Sequence, residues 1–155
     1  MKVIKPPYQI AKSGANITAI FLAGSIEMGS SEDWQSKIEE NLKYSGDNVV
    51  ILNPRRDSWD SSWTQEFTNP QFYQQVNWEL NGLDKADLII MYFSPETKSP
   101  ISLLELGLYA TSGKMIVCCP DGFWRKGNVE IVCEKYEIPL YETLDDLLNF
   151  IKTIV

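Results

Sequence analysis

Ile17-Thr18-Ala19-Ile20-Phe21-Leu22-Ala23-Gly24 is a near-continuous apolar run that ends in glycine. A strand with one wet face alternates apolar and polar residues, whereas a strand covered on both faces reads apolar throughout, so this run predicts a central strand of a parallel sheet. Working outward, Asp33 to Tyr44 repeats Trp34, Ile38 and Leu42 at helical spacing, and Val49-Val50-Ile51-Leu52 is a second strand that Asn53-Pro54 stops. A helix from about Gln71 to Asp84 leads into a third strand over 87–93. Ser99 suits an N-cap, Pro100 the first helical position and Gly113 the residue past the end, so a helix is expected from about 100 to 112, followed by a fourth strand at 115–119. Pro139-Leu140-Tyr141 reads as a short fifth strand, and Leu144, Leu147, Leu148 and Ile151 form the stripe of a last helix. This alternation predicts an α/β fold, a doubly wound (flavodoxin-like) sandwich with a five-stranded, mainly parallel sheet, in a single domain over 1–155. In such sheets ligands bind beyond the carboxyl ends of the strands, near the point where strand order reverses. Four loops build that edge here: Gly24–Ser31, 53–70, Ser94–Pro100 and Pro120–Gly127.

At 155 residues the chain is long enough to bury about 68–70% of its unfolded surface around one core. A formal net charge of −7 argues against a nucleic-acid or anionic-membrane binder, which would need a basic patch. Three cysteines, two of them adjacent at Cys118-Cys119 in an apolar run, have no metal-ligand spacing and suit a reducing compartment. Neither a secretory signal nor an apolar stretch long enough to span a membrane is recognisable, so a cytoplasmic protein is expected. Histidine is absent, which removes the commonest general base, most zinc sites and the usual serine-protease triads. No Walker pattern and no G-x-G-x-x-G occurs, and no cofactor or metal is expected. Acid–base chemistry falls to carboxylates, tyrosines, lysines or cysteines.

Two carboxylates break apolar helical patterns. Glu105 sits within Ile101-Ser102-Leu103-Leu104-Glu105-Leu106-Gly107-Leu108, sharing a line with Ile101 and Leu108, so it is expected to point into a partly dry environment. Glu79 does the same in the line Phe72, Val76, Glu79, Leu83. Both helices flank the third strand, so the two carboxylates are expected to meet in one pocket, where repulsion and desolvation would separate their protonation. Such a pair suits acetal chemistry, with one carboxylate attacking an anomeric carbon. The alternative for each is an ordinary solvated or ion-paired helix glutamate. Gly24 closes the first strand with a small residue that lets a ligand approach the backbone. The stretch Asn53-Pro54-Arg55-Arg56-Asp57-Ser58-Trp59-Asp60 combines charge forks with an aromatic able to stack on a base, or else is a surface loop pinned by its own tryptophans and ion pairs. Phe123-Trp124-Arg125-Lys126-Gly127-Asn128 poses the same choice between ligand contact and a subunit contact or turn.

With those residues in place, the chain from about Ile17 to Asn128 resembles the nucleoside 2-deoxyribosyltransferase family. The markers are Phe21-Leu22-Ala23-Gly24, Asn53-Pro54-Arg55-Arg56, Glu79-Leu80-Asn81-Gly82 and, most specific, Glu105-Leu106-Gly107-Leu108-Tyr109-Ala110. The resemblance implies that Glu105 attacks the anomeric carbon of a 2′-deoxynucleoside, releases the base and forms a covalent deoxyribosyl ester that a second base displaces, with Glu79 positioning the nucleoside. It also implies deoxyribonucleosides and free nucleobases as partners and a homo-oligomer in which Asn128 of a neighbouring subunit completes the pocket, while Gly24, Arg55, Asp57, Trp59, Asp60 and Ser99 are the substrate-binding residues expected from the loops themselves. The sequence departs from the family in two places. Members commonly carry aspartate where Glu79 stands, and many transferases carry aspartate six residues before the nucleophile, where this chain has Ser99. Related hydrolases of deoxynucleoside 5′-monophosphates carry serine there against phosphate, which makes such hydrolysis, with Arg55, Arg56 and Lys98 as counter-charge, the alternative activity. Asp57, Asp60 and Glu79 remain the candidates for protonating the leaving base. A catalytically silent nucleotide-sensing module is the third reading, since this architecture hosts many binding functions.

Overall fold

Six strands and five helices alternate along residues 1–11, 16–26 and 32–155, which the computed structural model describes. In chain order they are β1 (Lys2–Ile4), β2 (Thr18–Gly24), α1 (Trp34–Leu42), β3 (Val49–Leu52), α2 (Pro70–Lys85), β4 (Leu88–Tyr92), α3 (Pro100–Tyr109), β5 (Met115–Cys118), α4 (Lys126–Lys135), β6 (Leu140–Tyr141) and α5 (Leu144–Ile151). The strands form one parallel sheet in the order β1-β3-β2-β4-β5-β6. From β2 onward the order 3-2-4-5-6 is that of doubly wound sheets, so strand order reverses between β2 and β4.

The sheet has six strands where the sequence predicts five. The extra one, β1, lies on the outer edge of β3, with Val3 opposite Ile51 and Ile4 opposite Leu52. Three residues are too few to show a period of two. Helix α4 was also not expected: it buries only Val129 and Cys133, a single turn apart, and so carries no stripe for the eye to find. Part of the Gly24–Ser31 loop, residues 27–31, lies outside the described residues.

The run at 17–24 is buried on both faces because alternate side chains of each strand enter different cores. Phe21 and Ala23 of β2, with Ile89 and Met91 of β4, pack beneath Trp78 and Leu83 of α2, Leu106 of α3 and Val129 of α4. Ile20 and Leu22, with Ile90 and Tyr92, pack on the other face against Trp34, Ile38 and Leu42 of α1 and Leu147, Leu148 and Ile151 of α5. Cys118, Cys119 and Cys133 are unpaired and buried in these cores. No helix among the described residues is long and apolar enough to cross a membrane.

The starts of α1, α2 and α5 follow local rules, whereas α3 and α4 begin without a side-chain cap. Asn69 accepts from the Phe72 N–H at 2.9 Å with Pro70 next in line, Asp33 accepts from Ser36 N–H at 3.1 Å, and Thr143 from Asp146 N–H at 3.1 Å. Ser99 does not cap α3 as its sequence position suggests. Its side chain makes no capping bond, and its backbone is left-handed at φ 42° and ψ 53°. That conformation costs a non-glycine residue about 1–2 kcal/mol, and its hydroxyl is committed elsewhere, as described below.

Candidate active site

Gly24 ends β2 where strand order reverses, and its backbone there is open only to glycine. Its φ is +129°, and a Cβ would lie 2.2 Å from the Tyr92 carbonyl oxygen of β4. One layer out, Gly82 lets α2 lie directly on β2, because a Cβ there would meet the Phe21 ring at 2.6 Å. Glu79 is one turn before Gly82, so this close approach carries its carboxyl to the carboxyl end of β2.

A cleft of about 370 Å³ opens at that point, a size suited to a small molecule. Its floor is Phe21, Ala23 and Gly24, and Ile26 follows them. Pro54 and Gln65 close one side from the loop after β3, and Glu79 reaches in from α2. The opposite wall is the start of α3, with Ser99, Ser102 and Glu105. Among the described residues lining it, Glu79 and Glu105 are the only ionisable ones, and none is a lysine or arginine.

Helix α3 buries the opposite of what its composition suggests. Glu105 is 8% exposed, whereas Ile101, Leu104 and Leu108 are 60%, 58% and 56% exposed. Glu105 does not share the surroundings of Ile101 and Leu108, since it is buried in the cleft lining while both of them are exposed. Glu105 is dry because it leans inward, beside Ser102, toward α2. Burial pushes its carboxyl up, and the charge on Glu79 pushes it further, to about 8, with no offsetting hydrogen bond. Glu79 is raised to about 7, chiefly by burial, and Gln75 opposes the rise by donating to it. Both carboxyls are thus held above their ordinary range, and ionising either one opposes ionising the other. Near neutral pH the pair holds roughly one proton.

Gln75, one turn before Glu79, donates from Nε2 to Glu79 Oε1 at 2.8 Å and to the Pro54 carbonyl at 2.9 Å. Its own Oε1 is buried without a partner, a deficit of about 1–3 kcal/mol. Below α3, Ser99 Oγ lies 2.6 Å from Ser25 Oγ and 2.8 Å from Thr97 Oγ1, and Ser25 and Thr97 are 2.9 Å apart. Ser94 anchors this buried trio from both sides, its N–H donating to Ser25 and its carbonyl accepting from Thr97. The trio holds Ser99 in its left-handed backbone and fixes where α3, and so Glu105, begins.

Of the residues that the sequence singles out, the structure brings Gly24, Glu79, Ser99 and Glu105 to the cleft. Arg55 turns away to Asp33 at 3.5 Å and to Gln35 Oε1 at 3.4 Å. Asp57 pairs with Lys5 at 2.8 Å, and Asp60 accepts from Ser62 N–H at 2.9 Å. Trp59 packs edge-on to Trp63 with centroids 5.2 Å apart, and Arg56 lies 4.9 Å over the same Trp63 ring. The loop is thus pinned by its own tryptophans and ion pairs, and Pro54 and Gln65 are its members on the cleft. Phe123 packs on Phe93, and Trp124 donates to the Lys98 carbonyl at 3.0 Å, so 123–125 is the turn into α4. Asn128 is exposed on the first turn of α4, outside the cleft of its own chain.

Sequence reading missed Gln75, Gln65, Ser102 and the Ser25–Thr97–Ser99 trio. Gln75 was findable, since residues four apart on a helix are neighbours. The trio was not, because 72 residues separate Ser25 from Thr97. Among the described residues no three acidic or cysteine side chains are grouped to hold a metal ion.

The family model described as nucleoside 2-deoxyribosyltransferase-like matches residues 17–123. Among solved structures, a conserved protein from Enterococcus faecalis V583 is similar over 90% of this chain and 99% of its own, with a TM-score of 0.62 and 13% identity. That likeness speaks for the fold alone. No curated protein matches the chain. The family match covers well over half the sequence, from the strand that carries Gly24 through Glu79 and Glu105, and the chain belongs to the nucleoside 2-deoxyribosyltransferase-like family.

Proposed function

We propose that the chain is a nucleoside 2-deoxyribosyltransferase, exchanging nucleobases on 2′-deoxyribonucleosides through a covalent ester on Glu105. The observation that carries this reading is the pairing of Glu79 and Glu105, alone among the ionisable groups of the described lining residues, in a cleft beyond β2 and β4. Deoxyribose bears no 2′-hydroxyl, so its oxocarbenium-like transition state forms readily and a positioned carboxylate can trap it. Glu105 attacks C1′ as the bond to the base breaks. The base then needs a proton, and the carboxyl pair holds one. Of Asp57, Asp60 and Glu79, only Glu79 lines the cleft, so it is assigned to orient the nucleoside and pass that proton. A second base attacks C1′, returns its proton to the pair and frees Glu105, with overall retention.

Gly24 gives the sugar room against the backbone, and Ser99 sets the start of α3. Arg55, Asp57, Trp59 and Asp60 are assigned the shape of the loop that carries Pro54 and Gln65. Hydrolysis of deoxynucleoside monophosphates fits less well: a phosphate would face two carboxyls with no lysine or arginine among the described lining residues. The apolar rim of Ile101, Leu104 and Leu108 is assigned to a second copy of the chain, which brings its Asn128 to the pocket.

The test is chromatography of deoxyinosine with and without free adenine or cytosine, beside deoxynucleoside monophosphates, using wild type and Glu105→Ala. New deoxyadenosine or deoxycytidine that requires the added base, and is lost in the variant, is the expected result. Base release from monophosphates alone would move the assignment to the hydrolase, and thermal stabilisation by nucleosides without any turnover would leave a sensing module.

A further inference from the structure

Gln75 has no part in the mechanism above, yet it is the one side chain that ties a reacting carboxyl to the loop after β3. We infer that Gln75 is a positioning residue for the proposed transfer: it clamps Glu79 to the Pro54 backbone and dictates which Glu79 oxygen can carry a proton. The inference rests on the transferase reading for its consequence, and on geometry for its substance.

Gln75 is 5% exposed. Its Nε2 has two hydrogens, and both are spent, one on the Pro54 carbonyl at 2.9 Å and one on Glu79 Oε1 at 2.8 Å. A backbone carbonyl can only accept, so the nitrogen must face it and the amide cannot be turned over. Glu79 Oε1 therefore always receives an N–H. When Glu79 is protonated, its hydrogen must sit on Oε2, and Oε2 is the atom left to exchange a proton in the cleft. The orphaned Oε1 of Gln75 sharpens the point. An apolar side chain of the same length would spare the chain that orphan but would strip the Pro54 carbonyl and Glu79 Oε1 of their donor. What the amide supplies is two donors aimed at two acceptors.

The clamp also bears on how readily Glu79 ionises. A donor facing Glu79 favours its charged form, and the only other charged group among the described lining residues is Glu105 on α3, whose charge opposes that form. Tyr109, on the same helix as Glu105, is the other titrating group that senses the pair. With the donor in place the charged form of Glu79 is favoured, and its Oε2 proton is given up more readily to a leaving base. Without it Glu79 holds its proton more tightly and becomes the weaker acid toward that base.

The experiment is a carbon-13 carboxyl NMR titration of the full chain labelled in glutamate, from about pH 4 to about pH 10, with the two signals assigned through Glu79→Gln and Glu105→Gln. Wild type is compared with Gln75→Met, which keeps the length and deletes both donors. The midpoint of Glu79 should rise by about one unit, a tenfold change in proton affinity, while that of Glu105 falls because its neighbour's charge arrives later. The pH profile of kcat/KM for base exchange should move with them. An unchanged Glu79 midpoint in the folded variant would overturn the inference, as would a parallel rise of both midpoints, which a general change in burial would give. Should Gln75→Met fail to fold, Gln75→Asn keeps a neutral amide and draws its donors back by one methylene, and a Glu79 midpoint that stays put there is equally fatal. Absence of base exchange by wild type sinks the transferase reading, and the titration still decides the clamp.

Discussion

Glu105 is held in the folded chain at the expense of stability, and the sign of that cost is testable. Its carboxyl titrates at about 8 in the fold against an ordinary 4.5, mainly through burial and secondarily through the charge of Glu79. Below pH 4.5 the folded and unfolded chains are both protonated there, and the group costs nothing. As pH rises from 4.5 to about 8 the unfolded chain ionises freely while the fold resists, so stability declines across that window and levels off above it. Glu105→Gln keeps the shape of the protonated acid and removes the titration. Its melting temperature, followed by calorimetry, should match wild type near pH 4.5 and exceed it progressively up to pH 8, by about 4–8 °C if about 2 kcal/mol is released. A gain that is the same at both ends of the range would contradict the burial of the charge. The same variant should lose base exchange by about a thousandfold or more, as expected for a nucleophile. A residue whose removal stabilises the protein while abolishing turnover is held in place for chemistry.

Helix α2 transmits this precision from sheet to site, and Gly82 is where it touches. Its missing Cβ would stand 2.6 Å from the Phe21 ring, so Gly82→Ala must push α2 off β2 or turn Phe21 out of the cleft floor. A loss of about 2 kcal/mol is expected by denaturant unfolding, together with a fall in exchange, since Glu79 moves with the helix. Adding Phe21→Leu should recover part of both, a coupling that a double-mutant cycle measures; purely additive losses would show that the contact is not the cause. At Gly24 no such relief exists, because the obstacle is the Tyr92 backbone itself at 2.2 Å. Gly24→Ala should cost about 3 kcal/mol or more and leave little soluble protein, read from expression and unfolding. Both glycines were visible in the sequence as members of the Phe-Leu-Ala-Gly and Leu-Asn-Gly stretches, and the long strands were visible because two-sided burial writes an unbroken apolar run. What stayed hidden has a common cause. β1 is three residues long, α4 buries two side chains, and Ser99 exchanges its capping role for partners at Ser25 and Thr97 that only the sheet brings near. Local pattern reports burial and periodicity, and it is silent where a residue answers to a distant one.

For the molecule as a whole, the apolar rim of α3 decides how many chains make one working site. Ile101 belongs both to the cleft lining and to that exposed face, so whatever covers Leu104 and Leu108 also closes the mouth of the cleft over Glu105. A second copy is the occupant proposed, and its consequences follow from charge. Each chain carries a formal net charge of −7, so two copies repel while their apolar faces attract. Salt screens the first effect within a distance of about 8–10 Å at moderate ionic strength and leaves the second intact. Association should therefore tighten as ionic strength rises, the opposite of an interface built on ion pairs. Leu104→Glu places a further charge at the centre of the rim. Sedimentation velocity should give a wild-type mass at least twice that of one chain, more fully at higher salt, and a monomer for the variant. If the pocket is shared, specific activity should fall on dilution of wild type in step with its dissociation, and Leu104→Glu should lose about tenfold or more in exchange while circular dichroism reports an intact fold. A variant that sediments with wild type would remove α3 as the contact. A wild-type monomer that exchanges bases at full rate would mean that one chain suffices, with Asn128 idle and the open cleft already competent.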